Sequence, residues 1–135
     1  MARVTFASLP VGFNPTRYFD EMFAYSHPVV TTDDILTSAS GTVTASQGII
    51  VVSRAAPTAT AITLPAVSTR NGAPLWVVDW STGVTDSPGH VITLTPASGE
   101  TIARLSTFPI ASNSVYLGVA ILVPQTALSG WIALG

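Results

Sequence analysis

The chain has 135 residues, of which 9% are charged and 47% apolar, and its formal net charge is -2. That length suits one domain with a single core, and the missing charge is made up by Thr, Ser, Gly and Pro, the composition of an ordered β protein rich in turns, not of a disordered chain. Lysine and cysteine are absent and the five arginines are scattered, which leaves no basic stripe for nucleic acid and no disulfide or zinc–thiolate framework.

The N-terminal "MARVTFASLPVGF" meets Pro10 before any apolar run long enough for a signal peptide. Residues 1–34 read as an arm or short helix. "FNPTRYFDEMFAYSHP" gathers Phe13, Tyr18, Phe19, Phe23 and Tyr25 around the densest charge cluster of the chain. Asn14 suits a cap and Pro15 the first helical position, which sets Phe19 and Phe23 one turn apart on one face. Such a face either folds back on its own core or docks on a partner.

From Ile35 onward the period is that of short strands separated by turn residues every 8 to 12 positions. Strands are predicted over 35–40, 42–45, 48–54, 59–64, 75–80, 90–95, 101–108, 114–123 and 130–134, and no helix fits among them. The expected class is all-β, an antiparallel β-sandwich or jelly roll over residues 35–135. Asn71-Gly72 is the strongest hairpin signal, because both central positions of a type I′ turn need positive φ. "HVITLTPA" sets Val91, Thr93 and Thr95 opposite Ile92 and Leu94, one face aliphatic and the other hydroxyl-lined. In "ATAITLPA" Ile62 and Leu64 share a face, while Thr60 and Thr63 break the alternation.

"GIIVVS" and "VYLGVAILV" are apolar on both faces, as in strands covered on both sides. From Leu105 to the end there is no Asp, Glu, Lys, Arg or His, which favours burial between subunits. The same "VYLGVAILV" falls far short of the ~20 residues of a membrane helix, and the chain lacks the further alternating strands of a membrane barrel. No membrane partner is expected.

Chemistry is scarce. His27 and His90 are the only histidines, and no serine sits in a G-x-S-x-G elbow. Asp86, Ser87 and His90 lie too close in sequence to orient one another as a triad. Asp33-Asp34 reads as a turn or cap, without the further oxygen ligands that a hard cation needs. Glu21 and Glu100 are the only glutamates, and Glu100 falls in the turn "PASGET". Trp76, Trp80 and Trp131 suit packing in a core or subunit contact better than a sugar platform. No catalytic residue, metal or cofactor is expected.

"ITLPAVST", "GAPLWVVDWSTG", "HVITLTPASGETI", "SVYLGVAILV" and "SGWIALG", taken in order, resemble a pattern of bacteriophage virion proteins, the small β-sandwich or jelly-roll modules of capsid decoration (cement) proteins and of head or tail fibres. The resemblance runs from about Gly48 to the C-terminus. Where many such segments carry Asp-Gly after the "TI" step, this chain has Ala103-Arg104. The resemblance implies a non-enzymatic homo-oligomer of the virion, made in the host cytoplasm. A short aromatic arm and one domain suit a decoration protein bridging major capsid subunits, and a receptor- or glycan-binding fibre head is the alternative. The arm aromatics are then the partner-binding residues. Trp76, Trp80, Leu117, Val119 and Trp131 are expected at the subunit contact of a homotrimer or, failing that, a homodimer. A threonine-lined face beside tryptophans, with only Arg70 and Asp79 for nearby charge and no lysine to guard strand edges, needs such a cover.

Overall fold

The computed structural model describes residues 30–55, 58–82, 89–111 and 118–134. Among these are ten strands and three short 3-10 turns, Thr32–Asp34, Val67–Thr69 and Thr126–Leu128. The strands are β1 (Ile35–Leu36), β2 (Ser40–Thr42), β3 (Ile49–Val52), β4 (Ala59–Thr63), β5 (Leu75–Asp79), β6 (Val91–Thr95), β7 (Thr101–Ile102), β8 (Phe108–Ala111), β9 (Val119–Gln125) and β10 (Gly130–Leu134). They form a six-stranded sheet in the order β1-β3-β5-β9-β10-β7 and a four-stranded sheet in the order β2-β4-β6-β8. The arm expected over residues 1–34 lies outside the described residues up to position 29. No helix among the described residues is long and apolar enough to cross a membrane.

The β-rich class holds, but the purely antiparallel pairing does not. From β1 to β8 the chain alternates between the two sheets, odd strands in one and even strands in the other. Two successive crossings return the chain to the same sheet with its direction restored. Hence β1, β3 and β5 run parallel in one sheet and β2, β4 and β6 parallel in the other. Only the later strands turn back: β8 on β6, β9 on β5, and β10 on β9 are antiparallel.

This alternation also corrects the hairpin expected at Asn71-Gly72. Both residues have positive φ, 51° and 77°, as that dipeptide favours. The strands on either side, β4 and β5, belong to different sheets, so the turn carries the chain across the core. The run expected as one strand over 101–108 is divided by a tight turn. Ile102 and Leu105 exchange backbone hydrogen bonds of 2.9 and 2.8 Å around Ala103 and Arg104, whose φ values are 49° and 68°. Both central residues are left-handed, the geometry in which Asp-Gly or Asn-Gly sits without strain. β9 continues through Pro124, which β5 no longer reaches because its pairing ends at Leu122, so the missing N–H breaks no ladder on that side.

Both sheets contribute to one core. Ile62, Ile92 and Leu94 from the smaller sheet meet Leu75, Val77, Ile102 and Leu122 from the larger. Each of these is less than 2% exposed, and burial of such a side chain stabilises by about 1.5–3 kcal/mol. Thr60 joins this inner face with Ile62; its hydroxyl accepts a hydrogen bond from Arg54 Nη1 at 2.9 Å, which is why the alternation of that strand looks imperfect. At the far edge, β7 rests on β10 through Gly130, where a Cβ would stand 2.5 Å from the Thr101 carbonyl oxygen.

Candidate functional site

The six-stranded sheet has two unlike faces. Its inner face holds Leu75, Val77, Ala120, Leu122 and Trp131. Its outer face is built by the alternate residues, and the strand register sets them in rows. Ile35, Val51, Val78 and Val119 form one row, Ile49, Trp76, Ile121 and Leu134 a second, and Val123 with Ile132 begin a third. All ten are apolar. Ile35 is 43% exposed, Val119 42%, Ile132 40% and Leu134 50%, while Val51, Trp76, Val78, Ile121 and Val123 are half-buried. Trp80, just past β5, is 66% exposed. Ile49, in the second row, is buried at 7% exposure.

The residues expected at a subunit contact separate on this basis. Trp76 and Val119 lie on the outer face and Trp80 at its margin. Trp131 points the other way, into the core at 3% exposure, because it occupies the inward register position of β10. Its indole nitrogen is buried without an acceptor among the described residues. Leu117 and the arm residues Phe13, Tyr18, Phe19, Phe23 and Tyr25 lie outside the described residues.

The charges thought to flank this surface are inside the protein. Arg70 is 3% exposed and its guanidinium is held by carbonyl oxygens: Nε donates to Ala73 at 3.2 Å, Nη2 to Pro74 at 2.7 Å, and Nη1 to Ala45 at 2.8 Å and also to Gln47. The Trp131 ring centroid lies 6.0 Å from its guanidinium carbon, within cation–π range. Burial lowers the Arg70 pKa below its usual value. Asp79, 1% exposed, accepts from the Ser81 backbone N–H at 3.0 Å and pairs with His90 Nε2 at 2.7 Å. This pair ties the end of β5 in one sheet to the start of β6 in the other. His90 therefore finds a partner eleven positions back, while Asp86 and Ser87 lie outside the described residues, and the sequence carried no signal for the pair beyond the alternation that turns Asp79 inward with Leu75 and Val77.

Two depressions lie at the margins of the larger sheet. One, of about 400 Å³, is lined by Thr101, Ala103, Arg104, Leu128, Ile132 and Ala133 at the β7–β10 edge. The other, of about 580 Å³, is lined by Thr31, Asp33, Asp34, Thr42, Thr44, Ser46 and Gln47 beside β1. In the second, the burial of Asp34 raises its pKa, but hydrogen bonds from the Thr31 backbone and hydroxyl and from Gln47 outweigh this and leave it below the ordinary value. No group of three or more potential metal-ligating side chains occurs among the described residues. Compared with protein-family models and with curated proteins, the chain matches none.

Proposed function

We propose that this chain is a non-enzymatic structural protein of a bacteriophage virion, a capsid decoration protein whose two sheets pack as a sandwich and whose apolar outer face is buried on assembly. The observation that carries the assembly part of this reading is the outer face of the six-stranded sheet, ten apolar side chains in register with no charge among them. Parallel strands are ordinarily covered on both faces. Here the inner cover is the second sheet, and the outer cover would come from another copy of the chain, in a homotrimer or homodimer, or from a major capsid subunit. The virion assignment is supported by the resemblance of the segments from Gly48 onward to phage decoration and fibre modules, and by a composition that dispenses with surface charge.

A protein of this kind stabilises the head by bridging capsid subunits, each contact weak and the sum strong. The test is a comparison of particles with and without it. Particles lacking the protein are expected to burst at lower temperature and under milder osmotic shock while adsorbing to cells normally. Unchanged stability with lost adsorption would overturn the decoration reading in favour of a receptor-binding fibre head, for which the exposed Trp80 is the natural contact residue.

A further inference from the structure

The chain enters the six-stranded sheet at its β1 edge, and the turn that leads into β1 already lies against the start of the outer face. Ile49, the first member of the second row, is 7% exposed although it is not part of the core cluster, and the turn Thr32–Asp34 contacts its strand, β3. Continuing the register of β1 two residues back sets Asp33 at the height of Ile49, Trp76, Ile121 and Leu134. Continuing that of β7 forward sets Arg104 at the height of Ala133, next to Leu134. The second row is therefore a track from the point of entry to Arg104 at the opposite edge. There Arg104, Leu128, Ile132 and Ala133 line the hollow of about 400 Å³. Arg54 is held by Ala59 and Thr60, and Arg70 by backbone carbonyls. Arg104 is exposed, and its guanidinium has no hydrogen-bond or ion-pair partner among the described residues.

We propose that the N-terminal segment of the same chain, residues 18–29, crosses the outer face as a strap along the second row and sets Asp20 and Glu21 against Arg104. Three observations choose this occupant. The first is reach. Six strands, β1 to β7 in sheet order, span about 24 Å at the usual strand spacing. The ten residues from Thr31 back to Glu21 reach about 33 Å when extended. With residues 20–25 helical and the rest extended, as Pro28 favours for His27, they still reach about 27 Å. The second is charge. Asp20 and Glu21 are adjacent, and the segment holds no Lys or Arg, so it brings to the guanidinium the carboxylates that suit its fork. The third is apolar content. Phe19, Met22, Phe23 and Tyr25 surround the acidic pair. Phe23 and Tyr25 then cover Trp76 and Ile121, and Phe19, next to Asp20, enters the hollow over Leu128 and Ile132. The strap is a property of the free chain and stands apart from the virion assignment. It occupies the face that assembly would bury, so a capsid subunit or a second copy has to displace it, and displacement frees the aromatic side chains of the arm for that partner.

The chain has no cysteine, so the contact can be trapped in the full-length protein as Glu21→Cys with Arg104→Cys, because a disulfide closes only where the two Cα atoms come within about 4.4–6.8 Å. The control is Glu21→Cys with Thr63→Cys. Thr63 is exposed on the smaller sheet and pairs with Thr42, which lines the same hollow as Thr31, so an unseated segment would reach it at least as readily as Arg104. Under mild oxidation at micromolar concentration the first pair should close an intramolecular disulfide at least about tenfold faster than the control. Adding Phe19→Ser and Phe23→Ser should remove most of that advantage. In the cysteine-free chain the same two serines should raise acrylamide quenching of tryptophan fluorescence about twofold, through Trp76 and not the buried Trp131. Equal rates for the two pairs, or no disulfide in the first, overturn the inference. A covalent dimer in place of the intramolecular disulfide also overturns it and seats the segment on a second copy. The comparison of particles with and without the protein is untouched by any of these results, so the strap and the virion reading fail separately.

Discussion

Replacing Arg70 by Met removes the cation that gathers the segment 44–47 and the turn 70–74 while nearly conserving volume. The guanidinium serves the carbonyls of Ala45, Gln47, Ala73 and Pro74, and hydrogen bonds to a charged donor contribute about 1.5–3 kcal/mol each. The gross loss is therefore roughly 6–12 kcal/mol by that scale, but two terms offset much of it. Methionine spares the desolvation of a buried charge, and carbonyls in turns regain water. The net loss is expected at about 4 kcal/mol, in the range for breaking a buried charged contact, against a total stability of about 5–15 kcal/mol. Lysine offers three donors from a single nitrogen and no planar fork, so Arg70→Lys should lose about 2 kcal/mol, roughly half as much. Urea titration followed by circular dichroism reads both values. A methionine variant within about 1 kcal/mol of the parent at unchanged slope would refute the role given to the guanidinium.

Ala103→Asn with Arg104→Gly places the preferred dipeptide in a turn where both residues are left-handed, and thermal unfolding should show a gain of about 1–2 kcal/mol in the free chain. Gly130→Ala sets a Cβ against the Thr101 carbonyl at 2.5 Å; hydrogen exchange should rise at Ile102 and Ala103 ahead of the β9–β10 hairpin. His90→Leu removes one partner of the buried Asp79, which keeps the Ser81 N–H, and should cost about 1–3 kcal/mol in the same urea titration. Asp34 has a lowered pKa when folded, so its contribution to stability is complete above the unfolded value of 3.8 and is lost as pH falls through the lower folded value. Asp34→Asn should flatten the acid limb of the stability–pH curve there, and an unchanged limb would show that the Thr31 and Gln47 contacts carry no such linkage.

Much of the secondary structure is local and was legible in the chain. Ile92 and Leu94 against Val91, Thr93 and Thr95 alternate as read, because the period of a strand depends only on its own backbone. Asn71-Gly72 adopts positive φ for the same reason. "GIIVVS" and "VYLGVAILV", apolar on both sides, already indicated strands with a second apolar face. What the chain cannot display locally is which strand lies beside which. Alternation of residues is the same whether a neighbour runs parallel or antiparallel, so the shuttling between two sheets that makes β1, β3 and β5 parallel emerged only in three dimensions. The same holds for inward and outward. Arg70 and Asp79 looked like the charges of a surface and Trp131 like part of an interface. All three are buried, because burial is decided by the register of the surrounding strands and by partners as distant as Gln47 and His90. The rows that make up the outer face are a tertiary fact of the same kind: its apolar residues come from five strands spread over a hundred positions, and only the pairing of those strands brings them together.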